Sequence, residues 1–195
     1  MKVIVPDVDV TAGLQMFLIS MVFFGVAALV EEVLMRGFLL QALAKGVGGL
    51  WASLLTAVVF SLLHMGNPNV GVFAMLNIVL VGIVFAQAYW RTRSLWLPFG
   101  IHFSWNFAQT TIYGYPTSGN DFARYELTKL TQFGSEWLTG GAFGPEAGLL
   151  ATFIIFLCGI YLYFSRTLHP SPGVVTLERE GEDLAPAWFG QRRVA

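Results

Sequence analysis

Long apolar segments, separated by short polar breaks, set the strongest limit on how this chain can fold. A helix needs about 20 mostly apolar residues to cross a bilayer, where each backbone N–H and C=O must be satisfied internally. The apolar segments cover about residues 13–43, 49–65, 70–90, 95–113 and 146–165. Turn-forming or charged stretches separate the first four, namely KGVGG (45–49), GNPN (66–69) and RTRS (91–94). This pattern predicts an all-α fold, a polytopic transmembrane bundle of about five membrane helices.

The low charge of the chain agrees with a membrane protein. Charged residues make up 12% of the sequence and hydrophobic residues 55%, whereas a soluble domain averages about 25% charged residues. The formal net charge of −1 provides no basic surface for nucleic acid. We therefore expect a multi-pass integral membrane protein in contact with the lipid bilayer and no nucleic-acid partner. The oligomeric state is not indicated.

The predicted domain organisation is simple. Residues 1–12 form an N-terminal segment, residues 13–166 form one transmembrane domain, and residues 167–195 form a polar, mobile tail. Within the domain, residues 114–145 form a long polar and glycine-rich loop. Pro145 and Glu146 suit the first turn of the last helix, because proline costs nothing there and an acid favours the positive end of the helix dipole.

A few polar residues lie inside the apolar segments. An ionised side chain at mid-bilayer costs roughly 2.5–3.5 kcal/mol even on the lenient insertion scale. These residues must therefore face one another or a water-filled cavity. They are Glu31, Glu32, Arg36, His64, His102 and the amides Asn77 and Asn106.

Helical spacing divides the first charged cluster into two parts. Glu32 and Arg36 are four residues apart, so they share a helix face and can pair. Glu31 is rotated by about 100° from Glu32 and points elsewhere. His102 and Asn106 also share a face. The predicted first, second and fourth helices can thus bring one carboxylate, two imidazoles and one amide into a single cavity.

This combination suits the addition of water to a carbonyl group, with peptide hydrolysis as the obvious case. A carboxylate removed from bulk water can act as a general base, and a histidine beside it can hold the water. A second histidine and an amide can donate hydrogen bonds to a developing oxyanion. The same glutamate and histidine atoms could instead hold Zn²⁺, with a bound water as the nucleophile.

Three motifs carry a resemblance to a known family. The stretches are EEVLMR at 31–36, FSLLH at 60–64 and HFSWN at 102–106. They resemble the EExxxR, FxxxH and HxxxN motifs of the CPBP family, which comprises CAAX proteases and bacteriocin-processing (Abi) membrane proteins. The motifs occur in the family's order and on separate predicted membrane helices. The resemblance implies an intramembrane protease similar to the CAAX prenyl endopeptidases, and it places the chain in a prokaryotic cell membrane.

The resemblance also implies roles for individual residues. Glu31 would activate the water and His64 would orient it. His102 and Asn106 would form the oxyanion site. Supporting positions are Glu32, Arg36 and Phe60. Two chemistries remain open: a metal-free, glutamate-based reaction without a cofactor, which we prefer, and a metalloprotease that binds Zn²⁺ through Glu31, His64 and His102.

The expected function is therefore that of an intramembrane endopeptidase. It would hydrolyse a peptide bond of a peptide or protein substrate in the membrane, either prenylated or leader-bearing. The alternative is a non-catalytic membrane scaffold or immunity protein that uses the polar cavity for binding. A transporter with Glu31 as proton carrier is a second rival, which the absence of an inverted repeat weakens.

Overall fold

The computed structural model describes residues 3–4, 10–122, 126–130 and 132–170. The predicted mobile tail at 167–195 and the N-terminal segment at 1–12 lie mostly outside these ranges, so their character remains a prediction. Within the described residues the long helices are α1 Val10–Glu32, α2 Leu40–Leu63, α3 Val72–Thr92, α4 Trp96–Phe107 and α6 Leu149–Phe164. π-Helical stretches at Val33–Leu39 and Ala108–Ile112 continue α1 and α4.

Smaller elements occupy the remaining described chain. They are the strands β1 Val3–Ile4 and β2 Lys129–Leu130, the helix α5 Glu136–Thr139, and 3₁₀ turns at Gly141–Phe143 and Pro145–Ala147. The two strands pair antiparallel, with Val3 opposite Leu130. The regular structure of the described residues is therefore mainly helical, and the short β1–β2 ladder was not predicted from the apolar pattern.

Gly48 reverses the chain within the first long apolar stretch. Its backbone, at φ 80° and ψ 158°, is not helical, and glycine reaches this region without the Cβ penalty of other residues. Met35 and Phe60 pack in one core cluster, although along one straight helix they would lie more than about 30 Å apart. The two halves of the stretch therefore fold back on each other, as the KGVGG break predicted.

Helix α3 forms the centre of the bundle. It packs against α2, α4 and α6, while α1 packs against α4. The approach to α2 is close at Gly82, where a Cβ would lie 3.0 Å from both Cα and Cβ of Ala57. A larger residue at Gly82 would push these two helices apart.

In the part of the chain that the structure describes, two helical stretches are long and apolar enough to cross a membrane, namely Thr11–Leu63 and Val72–Thr92. Helix α6, an apolar helix of 16 residues, is shorter. Its outward side chains Phe153, Phe156 and Phe164 are exposed, as expected for a face in contact with lipid. Each of the five predicted helices has a helical counterpart, whereas five complete membrane crossings remain a prediction.

The loop after α4 extends further along the chain than predicted, so the predicted start of the last helix was wrong. The last helix begins at Leu149 and not at Glu146, which lies in the preceding 3₁₀ turn. Gly148 separates this turn from the helix, because its backbone is extended at φ −94° and ψ 155°. Before the turn, a Cβ at Gly144 would lie 2.1 Å from the carbonyl oxygen of Pro116. The two loop segments thus pack backbone against backbone and turn Glu146 inward.

Candidate active site

The EExxxR stretch contributes a buried ion pair. Arg36 Nη1 donates to Glu32 Oε1 at 2.9 Å, and both side chains are completely buried. Arg36 Nη2 also donates to the carbonyl oxygen of Gly82 at 3.1 Å. Arg36 lies in the π-helical stretch, where the wider turn changes the direction of side chains relative to an α-helix. The pair that the i,i+4 spacing predicts is therefore present and anchored to α3.

Phe60 and Phe85 enclose this charge. The Arg36 guanidinium lies 4.9 Å from the ring centroid of Phe60 and 5.0 Å from that of Phe85. Phe60 also meets the ring of His64 edge-on at 4.8 Å, and Phe85 stacks on His102 at 5.1 Å. Aromatic faces attract a cation and fix flat rings. The two phenylalanines thus hold Arg36 and both histidines in fixed positions.

His102 bridges the two adjacent glutamates. Its Nδ1 lies 3.0 Å from Glu32 Oε1, and its Nε2 lies 3.7 Å from Glu31 Oε2. An ionised carboxylate only accepts hydrogen bonds, and Glu32 Oε1 already accepts from Arg36. Nδ1 of His102 is therefore the donor in this bond, and Nε2 faces Glu31. The contact between Glu32 and His102 joins residues 70 positions apart and was not predicted.

Glu31 has a different environment from Glu32. Its side chain is 41% exposed and lines a cavity of about 320 Å³. Its Oε2 is buried, lies 3.7 Å from Nε2 of His102 and has no hydrogen-bond partner among the described residues. The Glu31 carboxylate is thus both accessible from the cavity and close to the His102 ring.

The other predicted site residues line the same cavity. His64, His102 and Asn106 all contribute to its wall together with Glu31. His64 Nδ1 contacts the carbonyl oxygen of Phe60 at 2.8 Å, which fixes the ring and leaves Nε2 for the cavity. The structure thus brings together the four residues that the sequence nominated, from α1, the end of α2 and α4.

Two residues of the long loop were not nominated. Ser118 lines the same cavity, and its backbone N–H donates to Glu146 Oε2 at 2.6 Å. Burial raises the pKa of Glu146 to about 7, although hydrogen bonds from Ser118 and the charge of His102 act in the opposite direction. The only sequence signal for Glu146 was an acid within a glycine-rich loop, and the preceding proline favoured a helix start instead.

Asn77 has a structural role. Its Nδ2 donates to the carbonyl oxygens of Glu146 and Gly148, at 2.7 and 3.1 Å, and its Oδ1 accepts from Thr152 Oγ1 at 2.7 Å. The amide thus connects α3 with the start of α6 and fixes the loop that carries Glu146.

Comparison with known families decides the assignment. The family model described as type II CAAX prenyl endopeptidase Rce1-like matches residues 13–108. The chain belongs to the CAAX protease (CPBP) family. The match includes the nominated residues Glu31, His64, His102 and Asn106, whereas Glu146 lies outside it. CAAX proteases are integral membrane proteins that act on membrane-associated peptides, so membership identifies this chain as a membrane protease. No curated protein and no solved structure matches it.

Among the described residues, no group of three or more His, Cys, Asp or Glu side chains is arranged to hold a metal ion. Nδ1 of His102 is engaged by Glu32 and Nδ1 of His64 by a backbone carbonyl. Nε2 of each ring is left for the cavity, and histidines that bind a metal through one ring nitrogen usually have the other engaged in this way. The choice between the metal-free chemistry and a Zn²⁺ site of Glu31, His64 and His102 therefore stays a prediction.

Proposed function

We propose that this CAAX protease is a multi-pass intramembrane endopeptidase that hydrolyses a peptide bond with a water activated by Glu31. The observation that carries the proposal is the cavity of about 320 Å³ shared by Glu31, His64, His102 and Asn106. It combines a carboxylate, two imidazoles and an amide in one cavity. A prenylated or leader-bearing protein of a prokaryotic cell membrane is the proposed substrate.

The first step is the activation of water. Glu31 Oε1 accepts a proton from a water in the cavity, and Nε2 of His64 holds that water. The water oxygen then attacks the carbonyl carbon of the substrate. General-base assistance of this kind contributes about 10²–10⁴ to the rate.

The second step is the stabilisation of the oxyanion. His102 Nε2 and the amide of Asn106 donate hydrogen bonds to the oxygen that gains negative charge. Because Nδ1 of His102 already donates to Glu32, donation from Nε2 requires the doubly protonated imidazolium ring.

The proposal is tested with purified protein in liposomes and a library of membrane-inserted peptides, analysed by mass spectrometry. We expect the wild type to produce defined cleavage products and Glu31→Gln to produce none. Glu136→Gln, which changes an exposed glutamate at the start of α5, is the matched control and should cleave like the wild type. Equal products from wild type and Glu31→Gln would contradict the general-base role. A wild type that cleaves nothing but retains a co-purifying protein would favour the scaffold function.

We also propose that the reaction needs no metal. Metal analysis of the same preparation tests this, with His64→Ala as the comparison. We expect no stoichiometric metal in the wild type and no loss of activity after chelation. Stoichiometric Zn²⁺ that disappears in His64→Ala would overturn the metal-free mechanism.

A further inference from the structure

A second carboxylate approaches the site from the long loop. Glu146 lines a smaller space of about 120 Å³ that His64, His102, Asn106 and Ser118 also line. These four residues border the larger cavity of Glu31 as well, so they form a wall shared by two adjoining spaces. Glu31 lies on one side of that wall and Glu146 on the other.

The smaller space is large enough for part of a substrate. A water takes up about 30 Å³ in the liquid, so about 120 Å³ accommodates a few waters or a small group of atoms. Most of its lining is apolar, including Ile78, Val81 and Ile154. The Glu146 carboxylate is thus a charged group in a largely apolar space next to the proposed oxyanion donors.

The surrounding loop holds this carboxylate in a fixed position. Ser118 N–H donates to Glu146 Oε2 at 2.6 Å, and Asn67 Nδ2 donates to the carbonyl oxygen of Ser118 at 2.9 Å. Ser118 has a φ of 50°, a conformation that non-glycine residues adopt rarely and mostly where surrounding structure enforces it. From the other side, Asn77 Nδ2 donates to the backbone carbonyl oxygen of Glu146 at 2.7 Å. A carboxylate that served only as a surface charge would not need such support.

Hydrolysis of a peptide bond requires a proton on the side of the leaving group. An amide nitrogen is a poor leaving group as an anion, so the C–N bond breaks readily only when the nitrogen is protonated. Glu31, on the water side of the wall, takes a proton in the first step. A second acid on the opposite side would supply the proton that the nitrogen needs.

We propose that Glu146 is the proton donor to the leaving amine, an inference that rests on the proposed endopeptidase function. In this step the C–N bond of the tetrahedral intermediate breaks and its electron pair remains on nitrogen. The nitrogen takes the proton from the Glu146 carboxyl group, and the oxyanion re-forms a carbonyl. Glu146 becomes a carboxylate that accepts from Ser118 N–H. The proton held by Glu31 then returns to Glu146 through water in the emptied site, which restores both groups.

The electrostatics of the loop support this step. Burial raises the pKa of Glu146 to about 7, so a substantial part of the protein carries the proton near neutral pH. Catalytic acids that operate near neutral pH are tuned in this way. Two carboxyl groups in different environments are the usual arrangement for a base and an acid in one site.

The test exploits the chemistry of the leaving group. The peptide that the wild type cleaves best in the library is compared with the same peptide carrying a thioester at the scissile bond. A thiolate leaves as an anion near neutral pH and needs no donated proton. We expect Glu146→Gln, which keeps an oxygen for Ser118 N–H, to lower amide hydrolysis about 100-fold or more and to leave thioester hydrolysis unchanged. Glu31→Gln should abolish both reactions, and Glu136→Gln should change neither.

The outcomes separate this inference from the proposed function. Amide hydrolysis at the wild-type rate in Glu146→Gln would overturn the inference and leave the endopeptidase intact. An equal fall for amide and thioester would assign Glu146 a structural role and also overturn it. If Glu146→Gln does not fold, Glu146→Asp is measured, and the same selective loss of amide hydrolysis is required. A wild type that cleaves neither substrate would overturn both proposals.

Discussion

The neighbouring glutamates Glu31 and Glu32 have the same chemistry and opposite environments. Glu32 is fully buried and its Oε1 contacts both Arg36 and His102. Glu31 is 41% exposed and lines a cavity, and its contact with His102 Nε2 is longer, at 3.7 Å. A rotation of about 100° along one helix is enough to separate the two. The Glu32 carboxylate therefore has a structural role, whereas the Glu31 carboxylate remains available for the reaction.

The comparison also explains why two adjacent acids are useful. Glu32 holds the ring of His102 through Nδ1, and Arg36 holds Glu32. His102 in turn presents Nε2 towards Glu31 at 3.7 Å. The buried pair thus positions His102, which also lines the cavity of Glu31. A substitution at either glutamate therefore affects the surroundings of the other through the His102 ring.

The largest effect on stability should come from breaking the buried pair. Glu32→Gln or Arg36→Met leaves one charge without its partner in a fully buried place, which typically costs about 3–5 kcal/mol. We expect the free energy of unfolding in detergent to fall by this amount for either variant. The double variant should be more stable than either single one, because it buries no unpaired charge. Single variants as stable as the wild type would contradict the structural role of Glu32.

The next largest effect should be on the catalytic rate, without a change in stability. Asn106 belongs to the cavity of Glu31 and not to the buried pair. Asn106→Ala should lower kcat about 10²–10³-fold by removing one oxyanion donor, with unchanged unfolding temperature. Ser104→Ala, an exposed change on the same helix, is the control. A full catalytic rate in Asn106→Ala would mean that the oxyanion is stabilised elsewhere.

The smallest effect should come from a substitution of Phe60, which lies between the buried ion pair and the cavity. Phe60 contacts Arg36 of the pair and His64 of the cavity. Phe60→Leu removes an aromatic face that is worth about 0.5–2 kcal/mol to a nearby cation. We expect a modest loss of stability together with a modest loss of rate. A loss as large as that of Glu32→Gln would show that packing and not charge pairing dominates this region.

Short-range features of the site could be predicted from the sequence. The Glu32–Arg36 pair follows from the four-residue spacing, and the different direction of Glu31 follows from the helical repeat. The break at Gly48 was recognisable from clustered glycines. The ring contact between His102 and Glu32 was not predicted, because the polar pattern indicates which helices share a cavity but not which atoms of their side chains meet.

The position of Glu146 shows a different limit. Proline followed by an acid favours the first turn of a helix, and these residues do begin a 3₁₀ turn, but the extended backbone of Gly148 separates that turn from the last helix. The close contact between Gly144 and Pro116 depends on how two distant loop segments meet. Interactions of that kind are set by tertiary packing, so the loop's contribution to the site became apparent only from the structure.

The central claim, that Glu31 acts in chemistry and Glu32 in structure, is tested most directly by Glu31→Gln and Glu32→Gln side by side. Both unfolding temperature and peptide cleavage are measured on the same liposome preparations. We predict that Glu31→Gln unfolds at the wild-type temperature and cleaves at least about 100-fold more slowly, whereas Glu32→Gln unfolds at a clearly lower temperature. Wild-type cleavage by Glu31→Gln, or equal destabilisation of the two variants, would contradict the account.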